Sequence, residues 1–211
     1  MSDCQNRGGV ELVSTHDSLT RSSSSENPAS AAVREHSHRI ICCQHLPGGK
    51  MADLPGTETC PFCRRLAGQA SWPADDIVWQ FQHSVAVLGT WQFYQGYCLL
   101  IARAHAAELN HLEPVVRRAF LDEMCLLAQA IELACRPRKL NYELLGNQVP
   151  HLHWHLFPRY DADPDHLQPV WVKLAQAEQD ESMRIRMTGS PECRSELARR
   201  LRTQLEILTA S

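Results

Sequence analysis

The spacing of apolar positions changes twice along this chain, from alternation to a helical period and back, and those changes mark its elements. From Asp76 onward, Ile77-Val78-Trp79-Gln80-Phe81, Val85-Ala86-Val87-Leu88 and Tyr97-Cys98-Leu99-Leu100-Ile101 read as strands, with Gly89, Thr90 and Gly96 in the connection between the second and third. Val116, Phe120, Met124, Leu127, Ile131 and Ala134 then fall on one helical stripe. Asn110 is a candidate cap for that helix, with Glu113 three residues on, and Pro137 stops it. Leu140–Leu145 reads as a fourth strand, Gly146-Asn147 as a turn, and a fifth strand runs from about Val149 to Pro158. After Tyr160 a polar stretch with Pro164 and Pro169 leads to a helix over Lys173–Arg186. Another starts at Ser190-Pro191-Glu192 and ends near Leu208. The pattern predicts an α+β fold: an antiparallel sheet of about five strands, one long packed helix, and C-terminal helices.

The fifth strand carries the chemistry. In His151-Leu152-His153-Trp154-His155-Leu156-Phe157, histidines alternate with large apolar residues. A strand sends successive side chains to opposite faces, so three imidazoles share one face while Leu152, Trp154 and Leu156 enter a core. Neighbouring imidazoles on such a face start about 6.5 to 7 Å apart, room for separate tasks on one polyanionic substrate. An exposed strand face would more usually carry Thr, Lys or Glu.

Composition narrows the partner and the compartment. The net charge of −3 lacks the basic excess that nucleic-acid binding needs, so the expected partner is a small molecule. No stretch approaches the roughly 18 consecutive apolar residues of a membrane span, which predicts no membrane association. The 9 cysteines form an odd set without a secretory signal, so a reducing cytoplasm is the expected location. Cys98, Cys125 and Cys135, on apolar segments, read as buried thiols. The serine-rich residues 1–50 keep no period and read as a disordered or mis-assigned N-terminal extension, since Met51 also precedes the first motif. His36, His38, Cys42, Cys43 and His45 within it read as adventitious. Residues 51–165 read as a catalytic domain and 166–211 as a helical extension packed on it. The arginines of that extension, Arg184, Arg186, Arg194, Arg199, Arg200 and Arg202, read as a solvated face.

Cys60 and Cys63 have the Cys-x-x-Cys spacing at which two thiolates grip one tetrahedral zinc, or at which a redox pair forms. With the histidine strand, this motif resembles the histidine-triad (HIT) family. The stretch Leu140–Arg159 resembles its signature of His, apolar, His, apolar, His, apolar, apolar. Gly96-Tyr97-Cys98-Leu99-Leu100-Ile101-Ala102-Arg103-Ala104-His105 resembles its strand leading to a downstream histidine, and Cys60-Pro61-Phe62-Cys63 its N-terminal metal motif. Together they span about residues 60–160.

The resemblance implies a nucleotidyl hydrolase or transferase that attacks the α-phosphate of a nucleotide conjugate, dinucleoside polyphosphates such as diadenosine tetraphosphate being the leading class. It implies that His153 is the nucleophile, and a neutral imidazole is able both to attack phosphorus and to leave it. His155 is placed to donate to a phosphate oxygen. In zinc-containing branches the remaining ligands map to His105 and His151, completing a set with Cys60 and Cys63. Asn147 stands where many members contact phosphate through Gln, and it also suits a turn that tolerates positive φ. Gln148 is the adjoining candidate. Phe81, Val87, Leu88 and Trp91 border the nucleotide by analogy, or pack an ordinary core. Tyr97 departs from the histidine usual after this glycine.

Three reactions share the implied intermediate: hydrolysis, transfer to phosphate or a sugar phosphate, and phosphoramidate cleavage. Retention of all three histidines is unlike the uridylyltransferase relatives, where the third is Gln, and favours hydrolysis. A non-catalytic nucleotide-binding scaffold would not need a nucleophile. The family's habit of pairing sheets implies a homodimer. Arg159 has strand parity with the histidines but lies about 13 Å past His155, which suits a structural role. His83 and His111 have no motif partner.

Overall fold

The computed structural model describes residues 56–210. The expectations for residues 1–50, the His36–His45 cluster included, lie outside the described residues. A five-stranded antiparallel sheet is built from β1 (Ile77–Gln80), β2 (Ser84–Leu88), β3 (Cys98–Ala102), β4 (Lys139–Glu143) and β5 (His153–Arg159), in the order β1-β2-β3-β5-β4. Helix α1 (Pro61–Leu66) precedes it, α2 (Pro114–Cys135) links β3 to β4, and α3 (Val170–Gln179), α4 (Glu181–Thr188) and α5 (Pro191–Thr209) follow. The α+β class and the strand count are those the apolar pattern implies. No helix among the described residues is long and apolar enough to cross a membrane.

The alternation of each strand divides the sheet into two working faces. Ala86, Leu88, Cys98, Leu100, Ala102 and Leu156 face a core shared with Phe120, Leu127 and Ile131 of α2 and Leu197, Leu201 and Leu205 of α5. Each fully buried leucine there contributes about 1.5 to 3 kcal/mol through removal from water. The opposite face is roofed from both ends. Cys60, Phe62 and Cys63 pack on Val85, Val87 and Ile101, while Val170, Leu174 and Ala177 of α3 and Met187 of α4 pack on Tyr94, Tyr97 and Phe157.

Several boundaries differ from the sequence pattern for local reasons. Helix α2 starts at Pro114 with Glu113 as its N-cap residue, and Asn110 lies in a 3-10 turn, Leu109–His111. Proline suits the first helical turn and disfavours helix in the residue before it, so it overrides the Asn110 cap. At the other end Arg136 takes a left-handed conformation, φ 51°, just before Pro137. Cys125 is exposed, one position off the buried stripe of Phe120, Leu127 and Ile131. The expected helix over Lys173–Arg186 is two helices, because the Asp180 side chain accepts from the Met183 amide at 3.1 Å and starts a new one. Ser190 does cap α5, accepting from Cys193 N–H at 3.3 Å.

The six arginines of the extension divide evenly: Arg184, Arg186 and Arg199 are exposed, as a solvated face requires, while Arg194, Arg200 and Arg202 are partly buried against the fold. Arg194 pairs with Asp76 at 2.6 Å and donates to the carbonyls of Gly89 and Thr90. Arg202 donates to the Ile77 carbonyl, and Arg200 to that of Ala134, so α5 is tied to β1 and to the end of α2. Arg184 and Arg199 keep the expected exposed pairing, with Glu181 and Glu196. Arg159 is buried, held by Asp163 at 2.7 Å and by the Gln168 carbonyl at 2.8 Å. Glu123 of α2, a buried carboxylate with no sequence signal, accepts from His83 N–H at 2.9 Å and from the Ser84 hydroxyl, clamping the β1–β2 turn.

Candidate functional site

The histidine run bends where it was expected to be straight. Strand β5 begins at His153, and His151 lies just before it, its amide bonded to the Val149 carbonyl at 2.8 Å. The bend turns the His151 ring, fully buried, toward the N-terminal segment. His153 and His155 remain on one face, opposite Ile101 and Leu99 of β3 in the register. Their rings lean together to a centroid separation of 4.8 Å, closer than the backbone spacing.

Four side chains converge at the bend. The Cys60 Sγ lies 3.4 Å from His151 Nδ1. Cys63 Sγ lies 3.2 Å from His105 Nδ1 and 3.4 Å from His151 Nδ1, and the two Nδ1 atoms are 3.1 Å apart. All four donor atoms fall within 4.8 Å of one another. A tetrahedral zinc with bonds of about 2.0 to 2.3 Å requires ligand separations of about 3.3 to 3.8 Å, so the set fits one ion. The orientation of His151 agrees: its Nε2 lies 2.7 Å from the Ala102 carbonyl. A carbonyl only accepts, so Nε2 carries the proton and Nδ1 offers its lone pair to the thiols. Burial, followed by the coulombic effect of His105 and His153, pushes His151 down to about 4 against the Ala102 hydrogen bond. Burial and the neighbouring Cys60 push the Cys63 thiol up to about 12, a cost that a bound cation reverses by stabilising the thiolate.

The same reasoning gives His153 the opposite tautomer. Its Nδ1 lies 2.7 Å from the His151 carbonyl, so Nδ1 bears the proton and Nε2 the lone pair. Phe62 packs edge-on against the ring at 4.9 Å, and burial lowers the pKa of His153, opposed by that hydrogen bond. His155 is faced edge-on by Trp171 at 5.2 Å, and its Nδ1 is 2.7 Å from the Tyr97 hydroxyl. Burial and the nearby His153 push His155 down to about 3. Two neutral imidazoles thus stand side by side between an aromatic ring from α1 and another from α3.

The other anticipated residues are dispersed. Asn147 and Gln148 are exposed in the loop before β5, and the positive φ of that turn belongs to Gly146, at 83°, not to Asn147. Phe81 is buried with Ala86 and Leu88 on the helix-covered face and is not brought to the histidines. Leu88 shares that face, while Val87 packs beside Cys60 and Phe62, and Trp91 against the Tyr94, Tyr97 and Phe157 group. Sequence reasoning missed Phe62 and Trp171. Phe62 stands inside the Cys-x-x-Cys motif, which was a usable signal; Trp171 follows Pro169 in a segment with no motif.

Residues 73–162 match the family model of the HIT domain. That stretch is similar to the HIT domain. The protein named hit of Bacillus subtilis is 28% identical over 119 residues, 54% of this chain and 79% of that protein. An uncharacterized HIT-like protein of Mycoplasma genitalium is 24% identical over 110 residues, 50% of this chain and 76% of its own. Among solved structures, a hypothetical histidine triad nucleotide-binding protein of Sulfolobus tokodaii superposes with a TM-score of 0.53 at 19% identity, covering 71% of this chain and 94% of that one. A zinc-bound histidine triad family protein of Mycobacterium smegmatis gives 0.52 at 21% identity, covering 74% and 99%. At these identities the structural likeness establishes the HIT fold.

Proposed function

We propose that this HIT-like domain is a nucleotide hydrolase that cleaves dinucleoside polyphosphates, such as diadenosine tetraphosphate, at the α-phosphate. The observation that carries the reading is the bond from His153 Nδ1 to the His151 carbonyl, 2.7 Å long, which leaves the Nε2 lone pair free beside His155. Nε2 attacks the α-phosphorus, the bond to the leaving nucleotide oxygen breaks, and a nucleotidyl-histidine forms. His155 donates to a non-bridging oxygen as charge builds. Water then attacks the phosphorus, the P–N bond breaks, and the nucleoside monophosphate leaves with His153 restored. Asn147 and Gln148 are assigned to the substrate's phosphates, and Trp91, with Phe62 and Trp171, to its apolar surroundings.

Cys60, Cys63, His105 and His151 are the residues that would hold zinc. The ion would supply a cross-link between the N-terminal segment and the catalytic strand, and the reacting groups are the chain's own. We further assign residues 51–165 to the catalytic domain and 166–211 to a packed extension. The pair is read as a cytoplasmic homodimer joined at the free β4 edge, where Tyr142 is 42% exposed.

The deciding experiment is turnover of dinucleoside polyphosphates, nucleotide sugars and nucleoside phosphoramidates, with products identified in the presence and absence of inorganic phosphate. Hydrolysis predicts a nucleoside monophosphate either way. A phosphate-dependent nucleoside diphosphate would replace it with a phosphorylase, and selective turnover of phosphoramidates would replace it with a phosphoramidase.

A further inference from the structure

Tyr97 follows Gly96, where the resemblance to the HIT family leads one to expect histidine, and it is directed at the reacting pair. Its side chain is 3% exposed, and its ring is stacked on Phe157 at 3.9 Å with 9° between the planes. The slot exists because residue 89 is glycine: a Cβ there would lie 2.1 Å from the Tyr97 ring. The ring is therefore held by packing on both sides. At its far end the hydroxyl meets His155 Nδ1 at 2.7 Å.

We propose that Tyr97 is a positioning residue for His155, donating its hydroxyl proton to Nδ1 and thereby keeping the imidazole proton on Nε2, the atom offered to phosphate. The inference deepens the hydrolase reading and rests on it for the role of His155. The argument is one of donors and acceptors. A buried hydroxyl needs an acceptor, and among the described residues the one it meets is His155 Nδ1. Were Nδ1 protonated, the phenol proton would be left without that acceptor, and a bare Nε2 lone pair would face the lone pairs of a phosphate oxygen. Burial also raises the Tyr97 phenol far above its usual range, so the proton stays on oxygen. Glu143 lies opposite His155 in the strand register, yet its carboxylate accepts from the Trp171 indole N–H, which leaves Nδ1 to Tyr97.

The test is long-range proton–nitrogen NMR of the full chain labelled with nitrogen-15 in histidine, with His155→Gln assigning the resonances. The expected result is an Nε2–H tautomer for His155 in the unaltered protein and loss of that preference in Tyr97→Phe. The same variant should lower kcat on diadenosine tetraphosphate about tenfold, the size of one net hydrogen bond, with KM within about twofold. An Nδ1–H tautomer in the unaltered protein would overturn the proposal, as would a Tyr97→Phe variant that keeps both spectrum and kcat. If Tyr97→Phe does not fold, the tautomer of the unaltered protein still decides. If the chain turns over no nucleotide, the hydrolase reading fails while the two spectra continue to judge Tyr97.

Discussion

His151 and His153 are two residues apart and of one type, yet they present opposite nitrogens. At His151 the Ala102 carbonyl takes the Nε2 proton and turns Nδ1 toward two cysteines. At His153 the carbonyl of His151 itself takes the Nδ1 proton and frees Nε2. Alternation in sequence could not distinguish them; the backbone acceptor each ring finds does. The difference teaches that a histidine run is divided by its hydrogen-bond partners, one ring offering Nδ1 to two thiols and the other leaving Nε2 open beside His155.

The largest expected effect breaks the phosphorus end alone. His153→Ala should lower kcat by about three orders of magnitude or more while nucleotide affinity stays within a few-fold, because it removes the attacking atom and leaves the metal cluster intact. Single-turnover rates and equilibrium binding of a non-hydrolysable analogue measure both. Unchanged turnover would sink the nucleophile assignment.

Breaking the other end should read out first in stability. One zinc per chain is expected by metal analysis. Cys60→Ser should lose it and lower the thermal midpoint by about 10 °C, since a closed structural site contributes its binding energy to folding. A chelator should act on the unaltered protein in the same direction. Activity lost without any change in metal content or melting would mean that the two ends are not separable in this way.

How much of this division was legible in the sequence depends on the distance over which it is set. The strands and the long helix were readable because period records local geometry, and the Cys60–Cys63 pair because of its spacing, whereas His105 and His151 joined that pair only through the resemblance to the HIT family. The bend before His153 was not, as it comes from the Ala102 and Ala106 backbone beside Leu152 and His151, far away in sequence. Phe81 illustrates the same limit: its strand was evident, but which face it joined depended on the register shift between Ile77 and Trp79. Trp171 and Arg194 reach their partners only after the C-terminal helices fold back, so no motif announced them.

The subtlest difference lies in protons. Burial lowers His153 below the ordinary imidazole value, so its neutral, nucleophilic form persists to more acidic pH than a free histidine would allow. The acid limb of kcat/KM should therefore lie below about pH 6.5. Phe62→Ala, which removes the ring at 4.9 Å and admits water, should move that limb upward toward it. Stability follows the same sign. His155 is held down to about 3 when folded, while the unfolded chain takes up the proton near 6.5, so the contribution is complete above the unfolded value and drains away as pH falls toward the folded one. Urea midpoints should decline through that acid window, and less steeply in His155→Asn, whose amide does not titrate. A midpoint that rises on acidification would show that the pair is charged in the folded state, and would reverse the assignment of two neutral imidazoles at the phosphorus end.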